Sequence, residues 1–119
     1  MIIDPSAAVS LEVIGERKRQ DAKWGEQNHP DLSPNVAGYS LSDVAGYYGI
    51  STADDARRAC DSEHKHGQGS WFSIHVEELG EALEAAVSGD TVALRAELVQ
   101  LAATVTAHVE AIDRRENKL

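Results

Sequence analysis

The sequence predicts an all-α fold, a bundle of four to five helices. Three observations predict it. Apolar residues recur at steps of three and four along the second half of the chain, capping residues and glycine stops bracket each such run, and no stretch alternates apolar with polar residues as a half-buried strand would. The core must be built from small side chains, because 42% of the 119 residues are hydrophobic but only 5% are aromatic. Ala, Val, Leu and Ile at this frequency suit closely packed helices. The length is that of one domain, residues 1–119.

The first helix is expected from Ser6 to about Lys23, after a Pro5-Ser6 start, and it gives way to the loop "WGEQNHPDLSPNVAG" with its two prolines and two glycines. A short helix follows in "SLSDVAGYY", capped by Ser40 or Ser42, and a longer one in "STADDARRACDSEHKHG", capped by Ser51 or Thr52 and stopped at Gly67. Ser70 to Val87 carries the clearest signal. Phe72, Val76, Leu79, Leu83 and Ala86 form one apolar stripe that ends before Gly89. The last helix starts at a cap on Asp90 or Thr91 and runs to about Arg114, with Leu94, Leu98, Leu101, Val105, Val109 and Ile112 on one face.

Charge narrows the possible partners. A formal net charge of -9 and a pI near 4.9 argue against a phosphate-neutralising surface for nucleic-acid polymers. An acidic protein can still take a small polyphosphate when a divalent cation reverses the local field. Cys60 is the only cysteine, so no internal disulfide forms. With no Lys/Arg-led apolar leader, and no apolar run near the ~20 residues that span a bilayer, a cytoplasmic protein without membrane contact is expected.

The acids of "HVEELGEALEAA" stand out against this background. From His66 to Leu94 there is no Lys or Arg to set against five carboxylates, whereas a solvated glutamate-rich helix usually places a cation four residues on. Glu77, Glu81 and Glu84 share a sector of roughly 60° opposite the apolar stripe, which fits an outer face. Glu78 and Glu81 fit another pattern. With Trp71, Ile74 and Ala85 they fall at steps of three and four on a second packing stripe, where an unpaired ionised carboxylate is costly. In the last helix Glu97 is the single charge between Ala96 and Val109. A short Ser88–Asp90 turn sets the two helices side by side, bringing Glu84 or Glu81 roughly level with Glu97. Convergent carboxylates without cations suit a hard ion, Mg²⁺ or Mn²⁺ rather than Zn²⁺.

These residues resemble a known family. "EELGE" at Glu77 to Glu81, followed by "ELVQ" at Glu97 to Gln100, is similar to the E-E-x-x-E…E-x-x-D pattern of MazG-like nucleotide pyrophosphohydrolases, of the all-α NTP pyrophosphatase superfamily. "ERKRQDAKWGEQNHPD" and "RAELVQLAATVTAHVEAI" look like segments of the same group, and the likeness is weakest over residues 32–51. The resemblance implies a Mg²⁺-dependent enzyme that hydrolyses a nucleoside triphosphate to monophosphate and pyrophosphate. It carries over Glu77, Glu78, Glu81 and Glu97 as metal ligands or as the group orienting the attacking water. Gln100 stands where the family has Asp, and its carbonyl can ligate but adds no charge.

Other residues compete for attention. Arg17, Lys18, Arg19 and Lys23 on the first helix, and Arg57 with Arg58 on another, are candidate phosphate cations that read equally as surface charges. Lys23 and Trp24 border the loop and are the preferred phosphate and base contacts, with Arg19 beside them. Glu63 and His66 have the Glu-x-x-His spacing of di-iron bundles, but no second such pair exists, and neither a phosphate loop nor a nucleophile elbow is present. His75 and His108 read as core or interface residues. Helices apolar on two faces leave surface that a monomer hardly covers, so a homodimer or homotetramer is expected. The rival expectation is a catalytically weak helical module that binds nucleotide or protein.

Overall fold

The computed structural model describes residues 4–116, which contain five α-helices, one 3₁₀ turn and no strand. The helices are α1 (Pro5–Trp24), α2 (Leu41–Tyr48), α3 (Ala53–Lys65), α4 (Trp71–Ser88) and α5 (Thr91–Arg115). The all-helical expectation therefore holds among the described residues. The stretch read as loop contains the 3₁₀ turn, Pro34–Val36, capped by the Ser33 side chain on the Asn35 amide.

Side chains set the helix starts. Asp4 accepts hydrogen bonds from the Ser6 and Ala7 amides at the head of α1, with Pro5 as the first helical residue. Ser40, Thr52 and Ser70 each accept from the amide three residues on, at the heads of α2, α3 and α4. At the far ends, Gly49 and Gly89 adopt the left-handed conformation that closes α2 and α4.

The chain divides into two compact units. One comprises Met1–His29 and Val105–Leu119, described over residues 4–29 and 105–116. Within it, α1 buries Val9, and the Ser6 hydroxyl donates to Glu110 Oε1 at 2.8 Å. Most of α1 is exposed, Leu11, Val13 and Ile14 included, with ion pairs Arg17–Asp21 and Arg19–Glu16 along its own surface.

The other unit is Pro30–Thr104, and it holds most of the core. Val36, Val44, Ala45 and Leu83 form one cluster, joined by Leu32, Leu41, Ile50 and Val87. Burying a leucine such as Leu83 contributes roughly 1.5–3 kcal/mol. Ala82 and Ala85 on α4 meet Leu94 on α5 in a second cluster. Ala53, Ala56 and Cys60 are the buried residues of α3, at steps of three and four.

Small residues govern how α3 and α4 meet. A Cβ placed on Gly80 would lie 2.9 Å from the Ala53 amide nitrogen and 3.1 Å from the Ser51 carbonyl oxygen. The first turn of α3 therefore rests on α4 at Gly80. The apolar stripe expected on α4 is only partly covered in the chain. Leu83 is buried, but Phe72 is 72% exposed and Leu79 sits at the surface. Likewise Leu94 is the buried member of the α5 face, while Leu98 and Val105 are about half exposed.

Candidate metal centre

The two helices joined at Gly89–Asp90 bring acids together as the Ser88–Asp90 turn implied. Glu78 and Glu81 lie one turn apart on α4, and Glu97 lies in the second turn of α5. One carboxylate oxygen from each of the three lies within 4.8 Å of the others. All three residues are half-buried. Oε2 of Glu78 and Oε2 of Glu97 are closed off from solvent and accept no hydrogen bond.

Both of those carboxyls are held above the usual carboxylate range. For Glu78 the main cause is burial, and the charges of Glu81, Glu97 and Glu77 add to it. For Glu97 burial again comes first, followed by a hydrogen bond shared with Glu81 and the charge of Glu81. An enclosed carboxylate with an unsatisfied oxygen is unfavourable by itself, since desolvation disfavours its charged form. Ala82 and Ala85, one turn further along α4, and Leu94 are apolar and supply no side-chain donor.

The set fits a hard divalent cation. The donors are all oxygen and lie within 4.8 Å of one another, a limit comparable to the span of two metal–oxygen bonds of about 2.0–2.6 Å, and Glu78 and Glu97 each carry an oxygen without a hydrogen-bond partner. Such an ion would satisfy the orphaned oxygens and neutralise the repulsion in one step.

Glu77 goes elsewhere. Its Oε1 accepts from Arg57 Nε at 3.3 Å, while Arg57 Nη2 donates to Glu81 Oε1 at 3.1 Å. Arg57 Nη1 also reaches Asp54 on its own helix. The guanidinium is thus forked over two acids of α4, and those hydrogen bonds, Glu81 first, hold it firmly in its charged form. Cys60, one turn further along α3, is buried, and burial with the charge of Glu77 behind it raises the thiol.

Glu84 is exposed on α4, and Gln100 is exposed on α5 one turn beyond Glu97. Lys23, Trp24 and Arg19 belong to the other compact unit. Lys23 Nζ stands 5.1 Å from the centre of the Trp24 ring, and Arg19 pairs with Glu16. Trp24 is 56% exposed, which removes the core-filling role that an indole so often plays. His64 turns Nδ1 to the carbonyl of Cys60 at 2.8 Å, a local helix contact.

Arg57 is the residue whose role the sequence left open. Its pairing spans 20 and 24 positions, beyond any helical neighbour rule. Two signals pointed to it: the surplus of acids without a local cation, and its place beside the Ala53–Ala56–Cys60 stripe.

The chain matches no protein-family model, no curated protein and no solved structure.

Proposed function

We propose that the chain is a Mg²⁺-dependent nucleoside triphosphate pyrophosphohydrolase of MazG-like type, with Glu78, Glu81 and Glu97 as its metal ligands. The observation that carries this reading is the convergence of Glu78, Glu81 and Glu97, a carboxylate oxygen of each within 4.8 Å of the others, where Glu78 and Glu97 each also hold an enclosed Oε2 without a hydrogen-bond partner. The "EELGE" and "ELVQ" segments that resemble the MazG-like pattern are the segments that supply these three acids.

Hydrolysis of a phosphoanhydride requires positioning and charge neutralisation more than covalent help from the protein. A bound divalent ion supplies that neutralisation and acidifies a coordinated water. The protein's own part is to bring three carboxylates together from α4 and α5, whose Ala82, Ala85 and Leu94 pack against one another. One water is consumed, the anhydride P–O bond between the α and β phosphates breaks, and nucleoside monophosphate, pyrophosphate and a proton result. Gln100, on the same helix as Glu97, offers a neutral oxygen where the family pattern has an acid, which favours fewer or weaker metal sites.

The working form is a homodimer or homotetramer. Val92 is 83% exposed on α5, and Leu98 and Val99 are about half exposed on the same helix, an apolar surface that a second copy would cover.

The test is a panel of NTPs and dNTPs incubated with Mg²⁺, with products separated. Monophosphate plus pyrophosphate is expected. Diphosphate plus phosphate would contradict the reaction class, and no turnover together with tight nucleotide binding would support a catalytically weak binding module instead.

A further inference from the structure

Resting on that reading of the acids as a metal site, we propose that Arg57 is a built-in counter-ion that the metal displaces and that then takes hold of the substrate's phosphates. The guanidinium is shared between Glu77 Oε1 at 3.3 Å and Glu81 Oε1 at 3.1 Å. Glu81 is thus both Arg57's partner and a member of the Glu78–Glu81–Glu97 donor set. Arg57 occupies Oε1 of Glu81, so an ion on the same carboxylate shares its single charge with the guanidinium and each cation weakens the other's hold. A divalent ion drawn to Glu78 and Glu97 repels the guanidinium from Glu81, and Arg57 keeps Glu77 and Asp54 as tethers outside the donor set.

The position of Arg57 decides where the released guanidinium goes. Its side chain is 45% exposed, whereas Glu77 and Glu81 beneath it are 21% and 25% exposed, so it lies on the solvent side of the acids. One turn further along α4 from Glu78 and Glu81, Ala82 and Ala85 pack on Leu94. Arg57 therefore stands on a solvent-facing approach to a metal held by these glutamates. A planar fork with several N–H donors matches a phosphate as well as it matches a carboxylate. Before substrate arrives the same side chain offsets part of the repulsion among Glu77, Glu78 and Glu81. A lysine would not do both, because it cannot bridge two oxyanions in a fixed fork.

The prediction has opposite signs for metal and for phosphate, which a merely structural role would not produce. Mn²⁺ alone, titrated into the full chain with free Mn²⁺ read by electron paramagnetic resonance, should bind Arg57→Gln about three- to tenfold tighter than wild type. Preformed magnesium pyrophosphate, titrated by calorimetry, should bind Arg57→Gln about tenfold weaker or worse. Arg57→Lys should tighten Mn²⁺ by less and still lose pyrophosphate affinity, and it decides the matter if the glutamine variant loses helix content. Equal or weaker Mn²⁺ binding by the variants would overturn the counter-ion role while leaving the metal site standing. Tighter Mn²⁺ with unchanged pyrophosphate would overturn the phosphate role. A wild-type chain that binds no Mn²⁺ would remove the metal site, and this inference with it.

Discussion

Gly80 meets the backbone of Ala53 at a separation that leaves no room for a side chain: a Cβ there would lie 2.9 Å from the Ala53 nitrogen and 3.0 Å from its Cα. That contact fixes α3 against α4 and so places Arg57, one turn along α3, over Glu77 and Glu81. Gly80→Ala sets two effects against each other. Alanine favours a helix by about 1 kcal/mol over glycine, but overpacking against backbone, which cannot rotate away, costs about 1–3 kcal/mol. The clash should win, lowering Tm by several degrees. Gly46 in α2 is the control, since a Cβ there meets nothing within 4 Å. Gly46→Ala should be neutral or stabilising by up to about 1 kcal/mol. Thermal melts of the two variants that shift in the same direction would show that the Gly80 contact does not constrain the helix pair.

Each acid should report its place. Glu78→Gln, Glu81→Gln and Glu97→Gln should each weaken Mn²⁺ binding by tenfold or more, on the order of 1.4 kcal/mol. Each should also lose most of the proposed pyrophosphohydrolase activity. Glu84→Gln, an exposed position on the same helix, should bind metal as wild type does. Calorimetric titration of the four variants checks this, and a Glu84 effect as large as that of Glu78 would mean that general acidity rather than the three-acid geometry attracts the ion.

The same acids make stability depend on pH. The Glu78 and Glu97 carboxyls lie above the ordinary 4.5 in the folded chain, chiefly through burial. Below about pH 4.5 both states are protonated there and the repulsion is absent. As pH rises from that value through the raised folded values, the unfolded chain releases protons that the folded chain retains, so this contribution to stability is lost. In metal-free buffer, wild type should therefore lose more stability than a Glu78→Gln/Glu97→Gln variant as pH is raised above about 4.5. Mg²⁺ should raise the wild-type Tm more at the higher pH, where the ligands are ionised. Parallel pH profiles for the two proteins would show that these carboxyls are charged at no cost.

Cys60 should behave as a buried, inert thiol. It is enclosed on α3, and burial and Glu77 both raise it, so the reactive thiolate is scarce at neutral pH. Alkylation by iodoacetamide should be at least about tenfold slower in the folded chain than in denaturant. Equal rates would place the thiol at the surface and undo the α3–α4 packing described above.

Much of the fold was legible locally. Ser40, Thr52 and Ser70 are caps whose amide partners lie three residues on, and Gly89 closes α4, so each boundary depends on a few neighbouring residues. The apolar stripes were legible as periodicity but not as burial. Phe72 and Leu98 follow the stripe and still face solvent in the single chain, because a stripe says which side is apolar and not whether a neighbour covers it. The site divides in the same way. That the acids of α4 needed a cation from outside their own segment followed from the absence of Lys and Arg between His66 and Leu94.

By itself, then, the sequence determined the helices, their ends and the charge imbalance, since these depend on residues within one or two turns of each other. Which carboxylates converge was decided only by tertiary structure. Glu78, Glu81 and Glu97 share a centre, Glu77 turns to Arg57, and Glu84 faces solvent, although all four acids of α4 lie within eight residues. The physical reason is rotation about the helix axis. Steps of one residue turn a side chain by about 100°, and the rotation of α4 is set by close approach at Gly80 and by Ala82 and Ala85 against Leu94, contacts between segments that no local pattern specifies.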